Sequence, residues 1–437
     1  MRRAAEQTIT RLREAGHTAL LAGGCVRDVL RGFEPKDYDI ATDATPDEVL
    51  KIFPKGNTIG AHFGVVLVKE GEFSFEIATF RAEGEYKDGR RPESVTFTTP
   101  EEDAKRRDFT INGMFLDPAD DRVIDHVGGL DDLKAGVIRA IGDPVERFRE
   151  DYLRMLRAIR FATVLDFEIE QHTWAALQVR APHVTEISPE RIREELDKIW
   201  KSPRRVKGFD LLAISHLMQA ILPEIMNLQG CEQPPQFHPE GDVFVHTRIM
   251  LDLLPDDASL PLVLSVLFHD IGKPDTYHYD VEADRIRFNG HDRLGAEMAV
   301  GIMKRLRYPN HIIDDVEVGV ANHMIFKDVQ KMRTAKLKRF MARETFDDEM
   351  ELHRVDCTSS HGMLDNYEFL KEKAVEFANE PLIPPRLVTG HDLMERGWKA
   401  GPDMGKILTE IQDLQLEGTL TSREQALAHV DQLKPRI

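Results

Sequence analysis

An α+β protein is predicted, in which a head built around a small mixed sheet is followed by all-α regions. Up to about residue 142, short β-rich runs such as HTALLAGG and FGVVLVKE alternate with turn signals and a helix. From Pro144 onward, apolar residues recur at helical spacing, as in YLRMLRAIRFATVL and LPLVLSVLFHDIG. Breaks rich in proline and glycine divide the chain into 1–147, 148–235, 236–378 and 379–437.

Length and composition predict a globular chain with more than one core. At 437 residues the chain exceeds the size at which a single core stops growing. Hydrophobic residues make up 41% of it, and no run approaches the roughly 20 apolar residues of a membrane span. The N-terminal segment is a polar amphipathic helix without the apolar stretch of a signal peptide. We therefore expect a soluble protein without a membrane partner.

Cysteine usage and charge narrow the functional classes further. Cys25, Cys231 and Cys357 are odd in number and far apart, which argues against a disulfide framework and a cysteine zinc site, so a cytoplasmic location is expected. The formal charge of -18 argues against broad non-specific nucleic-acid binding. The basic tracts at 201–208 and 331–340 are compatible with solvated helix faces or with phosphate contacts.

A glycine turn near the N-terminus predicts a phosphate pocket. The strand-like run ALLA is followed by Gly23 and Gly24, and a helix containing Arg27 then begins. Glycines let the backbone approach a ligand closely, and the amides at a helix N-terminus attract anions. The guanidinium of Arg27 adds donors that match phosphate oxygens. This segment therefore suits a nucleoside triphosphate.

Two carboxylates follow the glycine turn. Asp37 and Asp39 are spaced so that, in an extended strand, both side chains project from the same face. Two adjacent carboxylates repel each other unless a cation lies between them, and Mg²⁺ prefers such oxygen ligands. Glu76, on a neighbouring strand candidate, is either a third acidic group or a surface glutamate. Together with the turn, the pair predicts metal-assisted phosphoryl or nucleotidyl transfer.

Five motifs in order resemble the class II tRNA nucleotidyltransferase and bacterial poly(A) polymerase family. They are GGCVRD with DYD, RRDFTINGM, DHVGGLDDLKAGVIRAIGD, PVERFREDYLRMLRAIRFA and SPERIREEL. The resemblance covers about the first 230 residues and implies a polymerase-β-like nucleotidyltransferase head. It also implies a helical neck that binds RNA, followed by a helical body and tail.

The resemblance further implies a function and a set of site residues. The expected activity is addition of CCA to the tRNA 3′ end from CTP and ATP, with Mg²⁺ and without a nucleic-acid template. Asp37 and Asp39 would hold Mg²⁺, whereas Gly23, Gly24 and Arg27 would contact the triphosphate. Arg107 would contact the sugar or the phosphates. The tRNA 3′ acceptor end would be the partner, held by local basic patches.

A helix after residue 150 is the expected base selector. The Glu-Asp-x-x-Arg motif of the family falls on Glu150, Asp151 and Arg154. A carboxylate acceptor and a guanidinium donor one helical turn apart match the Watson–Crick edges of cytosine and adenine. Arg157 and Arg160 continue at three-residue steps toward a triphosphate. The alternative is that these arginines form ion pairs on the helix surface.

The exact product stays open at this point. The polar segment between Arg81 and Lys105 is interpreted as a mobile loop of the kind that helps the family switch from C to A, and it does not look shortened. The poly(A) polymerase branch usually carries a Gly-Arg-Arg-Phe-like element where this chain has IGAHFGVVLV, which favours the tRNA branch. CCA-adding, A-adding, CC-adding and poly(A) activities are only partly separated by sequence.

A second set of histidines and aspartates resembles the HD phosphohydrolase superfamily over roughly residues 240–365. The set comprises His246, His269, Asp270, His291, His323 and Asp356. An imidazole beside a carboxylate, with further histidines in reach, can bind a divalent metal and activate water for phosphoester hydrolysis. The resemblance implies His246, His269, Asp270 and Asp356 as metal ligands, with His291 and His323 as further ligands or phosphate contacts. His238 and His278 are predicted to be surface residues.

Three functional classes follow from these two constellations. The first is a CCA-adding enzyme with a fused HD domain. The second makes HD-type hydrolysis of phosphoesters the main activity, with the head holding the substrate. The third is an RNA-binding module with degenerate sites, which the paired carboxylates disfavour because binding alone does not require them. A vacant HD site serving as an RNA-binding body is also open.

Overall fold

The chain folds as two units, Met1–Met226 and Asn227–Ile437. The structure is a computed structural model that describes residues 1–58, 64–83, 95–379 and 381–433. The start of the IGAHFGVVLV segment and the centre of the predicted loop lie outside the described residues. Among the helices that are described, none has the length and apolarity needed to cross a membrane.

The first unit combines a seven-stranded sheet with helices. Its strands are β1 (Ala19–Ala22), β2 (Asp39–Thr42), β3 (Asn57–Thr58), β4 (Val65–Glu70), β5 (Phe73–Thr79), β6 (Arg81–Glu83), β7 (Val95–Phe97), β8 (Phe115–Asp117), β9 (Arg122–Ile124), β10 (Val137–Ile138) and β11 (Glu168–Ile169). Its α-helices are α1 (Arg2–Glu14), α2 (Gly24–Leu30), α3 (Pro46–Ile52), α4 (Pro100–Lys105), α5 (Gly129–Ala135), α6 (Pro144–Glu150), α7 (Leu153–Leu165), α8 (Gln171–Arg180), α9 (Pro189–Trp200), α10 (Arg205–Ile214), α11 (Leu217–Ile221) and α12 (Pro223–Met226). Two segments, Thr110–Asn112 and Ala181–Glu186, form 3₁₀ helices.

The main sheet is mixed, as predicted. Its order is β3-β4-β5-β2-β1-β8-β9, and all neighbours are antiparallel except β2 and β5, which are parallel. Every residue of β1 is buried because helices or loops cover both faces of the strand. Ala22, at the end of β1, pairs with Asp39 on one side and with Phe115 on the other. The starts of β2 and β8 therefore flank the glycine turn.

The prediction of a loop between Arg81 and Lys105 is wrong at both ends, where strands and a helix are found. β6 pairs with β7 in antiparallel fashion, and α4 follows. The Thr99 hydroxyl accepts a hydrogen bond from the Glu102 amide, and Pro100 begins the helix. Both features are helix-start signals that the polar composition obscured.

Helix α7 packs in the core of the first unit, as its apolar residues predict. Met155, Leu156 and Ile159 are fully buried. Gly208 of α10 lies against this helix, because a Cβ built on Gly208 would be 3.0 Å from the Thr163 hydroxyl oxygen. α7 ends at Asp166, which adopts a left-handed conformation with φ of 60°.

The second unit is largely helical. Its helices are α13 (Val243–Leu253), α14 (Leu260–Phe268), α15 (Lys273–Thr276), α16 (His291–Arg305), α17 (Asn310–Asn322), α18 (Thr334–Met341), α19 (Phe346–Ser359), α20 (Asp365–Phe377), α21 (Gly390–Glu395), α22 (Pro402–Leu416) and α23 (Arg423–Gln432), with a 3₁₀ helix at His323–Lys331. The all-α prediction fails at one hairpin, β12 (Tyr277–Asp280) with β13 (Arg285–Phe288). Aromatic and β-branched residues in YHYDVEADRIRF carried that signal.

Two glycine substitutions test the packing that supports α7. At Gly208 an added Cβ would be 2.3 Å from Ile199 Cγ2, so we expect Gly208→Ala to destabilise the protein by about 1–3 kcal/mol despite alanine's higher helix propensity. Gly301 of α16 has nothing within 4 Å of such a Cβ, so Gly301→Ala should stabilise by roughly 0.5–1 kcal/mol. Denaturant unfolding measures both. Equal effects at the two positions would contradict this packing.

Candidate functional site

The glycine turn brings several predicted residues together. Gly23 has φ of 75° and caps the N-terminus of α2, a conformation that side-chain-bearing residues rarely adopt. A Cβ on Gly23 would lie 2.9 Å from Arg107 Nη1 and 3.9 Å from Asp39 Oδ2. The turn therefore needs glycine for its backbone angle and for space. It places the backbone beside one guanidinium and one carboxylate.

The acidic side chains gather where β2 begins. β2 starts at Asp39, so the prediction that Asp37 shares this strand is wrong. The pairing of β2 with β1 begins at Asp39, which lies opposite Ala22. The extended alternation nevertheless continues upstream, because Asp37 and Asp39 are exposed and Tyr38 between them is buried. Ile40 pairs in parallel with Ile77, which makes Glu76 the neighbour of Asp39. Three carboxylates thus lie at one place.

Crowding of negative charge is visible at Asp39. Although this residue keeps contact with solvent, surrounding protein and the neighbouring Glu76 charge raise the pKa of Asp39 to about 6. Arg107 opposes the shift, and Asp37 adds to it. Such repulsion between carboxylates favours a bound cation with oxygen preference. Asp37, Asp39 and Glu76 have the chemistry of a Mg²⁺ site.

Both predicted arginines of the head have protein partners. Arg27 is buried, and its Nε and Nη1 donate to Asp28 Oδ1 at 2.9 Å and to Asn112 Oδ1 at 2.7 Å. Arg107 donates through Nη2 to Asp103 Oδ2 at 3.0 Å and through Nη1 to the Asn112 carbonyl at 3.3 Å. The two guanidinium groups are therefore held in fixed positions next to the turn.

The selector segment is broken where a continuous helix was predicted. α6 ends at Glu150 and α7 begins at Leu153, so Asp151 lies in the extended break with φ of -151°. Its Oδ1 accepts from the Leu153 amide at 3.0 Å, and its Oδ2 accepts from Arg191 Nη2 at 2.6 Å. A carboxylate that caps the following helix explains the break.

The three arginines on α7 each contact an acidic residue of the first unit. Arg154 forms an ion pair with Glu150, Arg157 Nη2 lies 2.6 Å from Asp108 Oδ2, and Arg160 Nε lies 3.1 Å from Glu195 Oε2. Burial, together with the charge of Arg157, lowers the pKa of Arg160 to about 10. These are the ion pairs that the alternative interpretation predicted. Arg154 is buried, and Arg157 and Arg160 are half-buried, so these pairs are not fully exposed on the helix surface.

Comparisons with known proteins find similar sequences over most of the chain. Family models match at residues 19–139 (Poly A polymerase head domain), 166–228 (Probable RNA and SrmB- binding site of polymerase A) and 243–356 (HD domain). A CCA-adding enzyme of Streptococcus mutans serotype c is 33% identical over 427 residues, covering 96% of this chain and 94% of the relative. The chain belongs to the CCA-adding enzyme family.

Further relatives agree with this membership. A CCA-adding enzyme of Lactobacillus gasseri is 33% identical over 430 residues, which cover 97% of this chain and 95% of the relative. The crystal structure of the Bacillus stearothermophilus CCA-adding enzyme in complex with CTP matches with a TM-score of 0.76 at 26% identity, covering 98% of this chain and 96% of that chain. The resemblance identified in the motifs is confirmed.

The HD-type residues of this CCA-adding family member also converge. The six residues come from five helices or helix ends of the second unit: His246 from α13, His269 and Asp270 after α14, His291 from the start of α16, His323 after α17, and Asp356 from α19. Within this set of six, two groups have potential ligand atoms within 4.8 Å of one another. One is His246, His269 and Asp356; the other is Asp270, His291 and His323. All six residues of the sequence-based set thus meet.

Asp270 links the two groups. Its Oδ2 lies 3.0 Å from His269 Nε2, whereas its Oδ1 lies 3.4 Å from His291 Nε2 and 3.8 Å from His323 Nε2. The Asp270 side chain is buried, and the positive charges of His269 and Lys273 hold its pKa well below the usual range despite burial. An ionised carboxylate between imidazoles is a suitable bridging ligand for divalent ions.

The chemistry of these donors fits a metal ion. His246 and His269 are buried, and their Nε2 atoms make no hydrogen bond of normal geometry among the described residues, although carboxylate oxygens of Asp356 and Asp270 lie 3.1 and 3.0 Å away. Buried polar atoms are normally satisfied, so such an atom needs an explanation, and an ion is one. Burial lowers the pKa of His246, but Asp356 and Glu240 raise it to about 9. This surplus of negative charge is what a divalent cation would neutralise.

Sequence reasoning missed residues that support this centre. Glu240 Oε1 lies 2.7 Å from His246 Nδ1 and 2.9 Å from His238 Nδ1. It therefore orients His246 so that Nε2 faces the other ligands. The prediction of His238 as a surface residue is wrong, because this half-buried ring binds Glu240; His278 is exposed, as predicted. The dense HPEGDVFVH spacing was the available signal.

A cavity of about 580 Å³ opens beside these ligands. Its lining includes His291, His323 and Asp356, together with the cations Lys273, Arg285 and Arg287. Lys273 Nζ lies 2.6 Å from both Asp270 Oδ2 and Gln233 Oε1. A cavity with metal-ligating groups and cations at its wall accommodates an anionic group such as a phosphate ester.

Proposed function

We propose that this chain is a tRNA nucleotidyltransferase that adds CCA to the tRNA 3′ end from CTP and ATP. The observation that carries the proposal is the meeting of Asp37, Asp39 and Glu76 with the glycine turn. Binding of RNA alone does not require three carboxylates beside an anion-accepting backbone. Among the reactions that such an acidic pocket could support, membership of the CCA-adding family favours CCA addition.

In the proposed reaction the 3′-hydroxyl oxygen of the RNA attacks the α-phosphorus of the nucleotide. A new P–O bond forms as the hydroxyl loses its proton to water, the bond to the β-phosphate bridging oxygen breaks, and pyrophosphate leaves with the electron pair. Asp37 and Asp39, with Glu76 beside them, would hold a divalent cation, which would supply activation of the hydroxyl and stabilisation of the leaving group. The backbone at Gly23 and Gly24 receives the triphosphate.

Arg27 and Arg107 orient the triphosphate for this attack. Their guanidinium groups are already fixed by Asp28, Asp103 and Asn112, so little side-chain freedom is lost when phosphate binds. Preorganised donors of this kind stabilise charge that develops on the leaving phosphate oxygens.

Base selection is assigned to Asp151 and Arg154. To reach a Watson–Crick edge, Asp151 exchanges its Arg191 contact and Arg154 its Glu150 contact for hydrogen bonds with the base. The Asp151 carboxylate accepts a hydrogen bond from cytosine or adenine, and the Arg154 guanidinium donates one to the same base. With guanine or uracil, a hydrogen-bonding group of this pair stays unsatisfied. Arg157 and Arg160 lie further along α7, and we assign them to contacts with the triphosphate.

The function is tested with three RNA primers in the presence of Mg²⁺. They are tRNA lacking its 3′ CCA, tRNA ending in CC, and an unrelated oligo(A), each given CTP, ATP or both. We expect CCA on the first, a single A on the second and no extension of the third, read at single-nucleotide resolution. Extension of oligo(A) would indicate a poly(A) activity, arrest after CC a CC-adding activity, and extension of the CC-ending tRNA alone an A-adding activity, and each would reject full CCA addition.

Removal of a carboxylate should abolish incorporation. We expect Asp39→Ala and Asp37→Ala each to lower the incorporation rate at least about a hundredfold, because the metal loses an anchor and the developing charge loses stabilisation. Primer extension measures the rate, and Asp120→Ala, an exposed carboxylate of the same unit, is the matched control. Full activity in either folded mutant would disprove the metal assignment.

The selector assignment predicts a change in base choice rather than in folding. We expect Asp151→Ala and Arg154→Ala to reduce the preference for CTP and ATP over UTP and GTP, since each discriminating hydrogen bond contributes about 1–3 kcal/mol. Competition assays with all four nucleotides measure this preference. Unchanged nucleotide selectivity in both variants would reject the template role.

A second candidate activity is favoured by the Nε2 atoms of His246 and His269, which are buried beside Asp356 and Asp270 and make no hydrogen bond of normal geometry among the described residues. We propose that the second unit binds divalent metal through His246, His269, Asp270 and Asp356, with His291 and His323 completing the set, and hydrolyses phosphate esters. A metal held by these residues would supply activation of water. Glu240 orients the His246 ring, and Lys273 lines the cavity in which the ester would bind. A cytoplasmic location suits both activities.

Metal retention separates this centre from the head. We expect Asp270→Ala to lose bound metal and metal-dependent phosphate release while CCA addition persists, because the altered carboxylate belongs to the other unit. Glu240→Gln should weaken metal binding roughly 10–100-fold through loss of His246 orientation. Elemental analysis after dialysis against Mn²⁺ measures stoichiometry, with Asp257→Asn as an exposed control. Wild-type stoichiometry in Asp270→Ala would exclude the site.

A further inference from the structure

Asn112 occupies a position that no base-selecting or metal-binding role explains. It ends the 3₁₀ helix Thr110–Asn112 and is 6% exposed. Its side-chain Oδ1 accepts from Arg27 Nη1 at 2.7 Å, and its Nδ2 donates to Asp108 Oδ1 at 3.2 Å. The buried amide of Asn112 thus links Arg27, which follows the glycine turn, to the Asp108 carboxylate.

The chain of contacts continues to the selector helix. Asp108 Oδ2 accepts from Arg157 Nε at 2.8 Å and lies 2.6 Å from Arg157 Nη2. Burial alone would raise the pKa of Asp108, but Arg157 and Asn112 lower it to about 2, so the carboxylate is ionised at neutral pH. Arg27, Asn112, Asp108 and Arg157 therefore form an unbroken series of donor and acceptor pairs from α2 to α7.

The ionised carboxylate fixes the orientation of the amide. Asp108 only accepts, so Asn112 must present its NH₂ group there and its oxygen to Arg27, which only donates. No other orientation satisfies both neighbours. A second contact joins the same helices, since the Arg27 guanidinium lies 5.3 Å from the centre of the Phe161 ring of α7. Of these two links between α2 and α7, the hydrogen-bonded one passes through a single amide.

We propose that Asn112 is a positioning residue that couples triphosphate placement at the glycine turn to base selection on α7. This inference rests on the proposed nucleotidyl transfer and adds a specificity determinant that touches neither the base nor the metal. If Arg27 moves relative to Arg157, a nucleotide whose phosphates are correctly bound presents its base edge out of register with Asp151 and Arg154. Correct and incorrect nucleotides then differ less in their rate of incorporation.

The test uses an exchange of charge and amide within the series. Asn112→Asp places two carboxylates in contact, so we expect the ratio of kcat/KM for CTP over UTP on tRNA lacking CCA to fall about tenfold or more. The double variant Asp108→Asn with Asn112→Asp keeps the net charge and restores the order of donors and acceptors. The carboxylate at position 112 then accepts from Arg27, while the amide at position 108 donates to that carboxylate and accepts from Arg157. The Phe109 amide, which donates to Asp108 Oδ1 at 2.8 Å, loses that acceptor, so we expect this double variant to recover part of the lost ratio.

Controls separate positioning from folding and from the proposed function. Asn57→Asp, an exposed asparagine of the same unit, should keep the wild-type ratio. If Asn112→Asp does not purify in folded form, Asn112→Ala, which can neither accept from Arg27 nor donate to Asp108, takes its place with the same expectation. Loss of thermal stability with an unchanged ratio, or a double variant that is folded but no more selective than Asn112→Asp, would overturn the inference. Wild-type protein that adds no nucleotide would instead reject the proposed function.

Discussion

The register of β1 with its two neighbours is the constraint on which the head depends. Because Ala22 pairs with both Asp39 and Phe115, the end of β1, the start of β2 and the approach to β8 lie at one edge of the sheet. The glycine turn, the catalytic carboxylate candidates and Asn112 all meet there. A slip of one residue would turn every side chain of the strand to its opposite face.

This convergence has an electrostatic consequence. Carboxylates and guanidinium groups from distant parts of the sequence are drawn into one partly buried region, where an uncompensated charge is costly. Asp103 forms an ion pair with Arg107, and Asp108 forms one with Arg157. The pKa values of both aspartates are lowered despite burial because each has a cationic partner. Asp39 is the exception, since burial and the neighbouring carboxylate of Glu76 outweigh Arg107 and its pKa rises. The residue left without adequate compensation is the one expected to bind a cation.

The sequence predicted what local pattern encodes. Alternating and helical periodicity located several strands of the head and most helices, and the motifs named the family and the six metal-ligand candidates of the second unit. It did not find the hairpins β6–β7 and β12–β13 or features set by contacts between distant residues. The choice between the two roles of Glu76 depends on the parallel pairing of β2 and β5, the break at Asp151 depends on its contacts with the Leu153 amide and Arg191, and the role of Glu240 depends on its contact with His246.

The acidic net charge of -18 is compatible with an RNA substrate because the cations are kept in place by acidic neighbours. In the basic tract at 201–208, Lys207 contacts Asp166 and Glu168, and Arg204 contacts Asp166. In the other tract, Arg339 binds Asp413. A phosphate that reaches such a pair replaces one anion by another, so the gain in binding is smaller than for a bare cation, and the side chain is already ordered. Because the overall charge of the chain repels RNA, binding depends on these fixed local cations, which favours release of the finished tRNA over tight, indiscriminate binding.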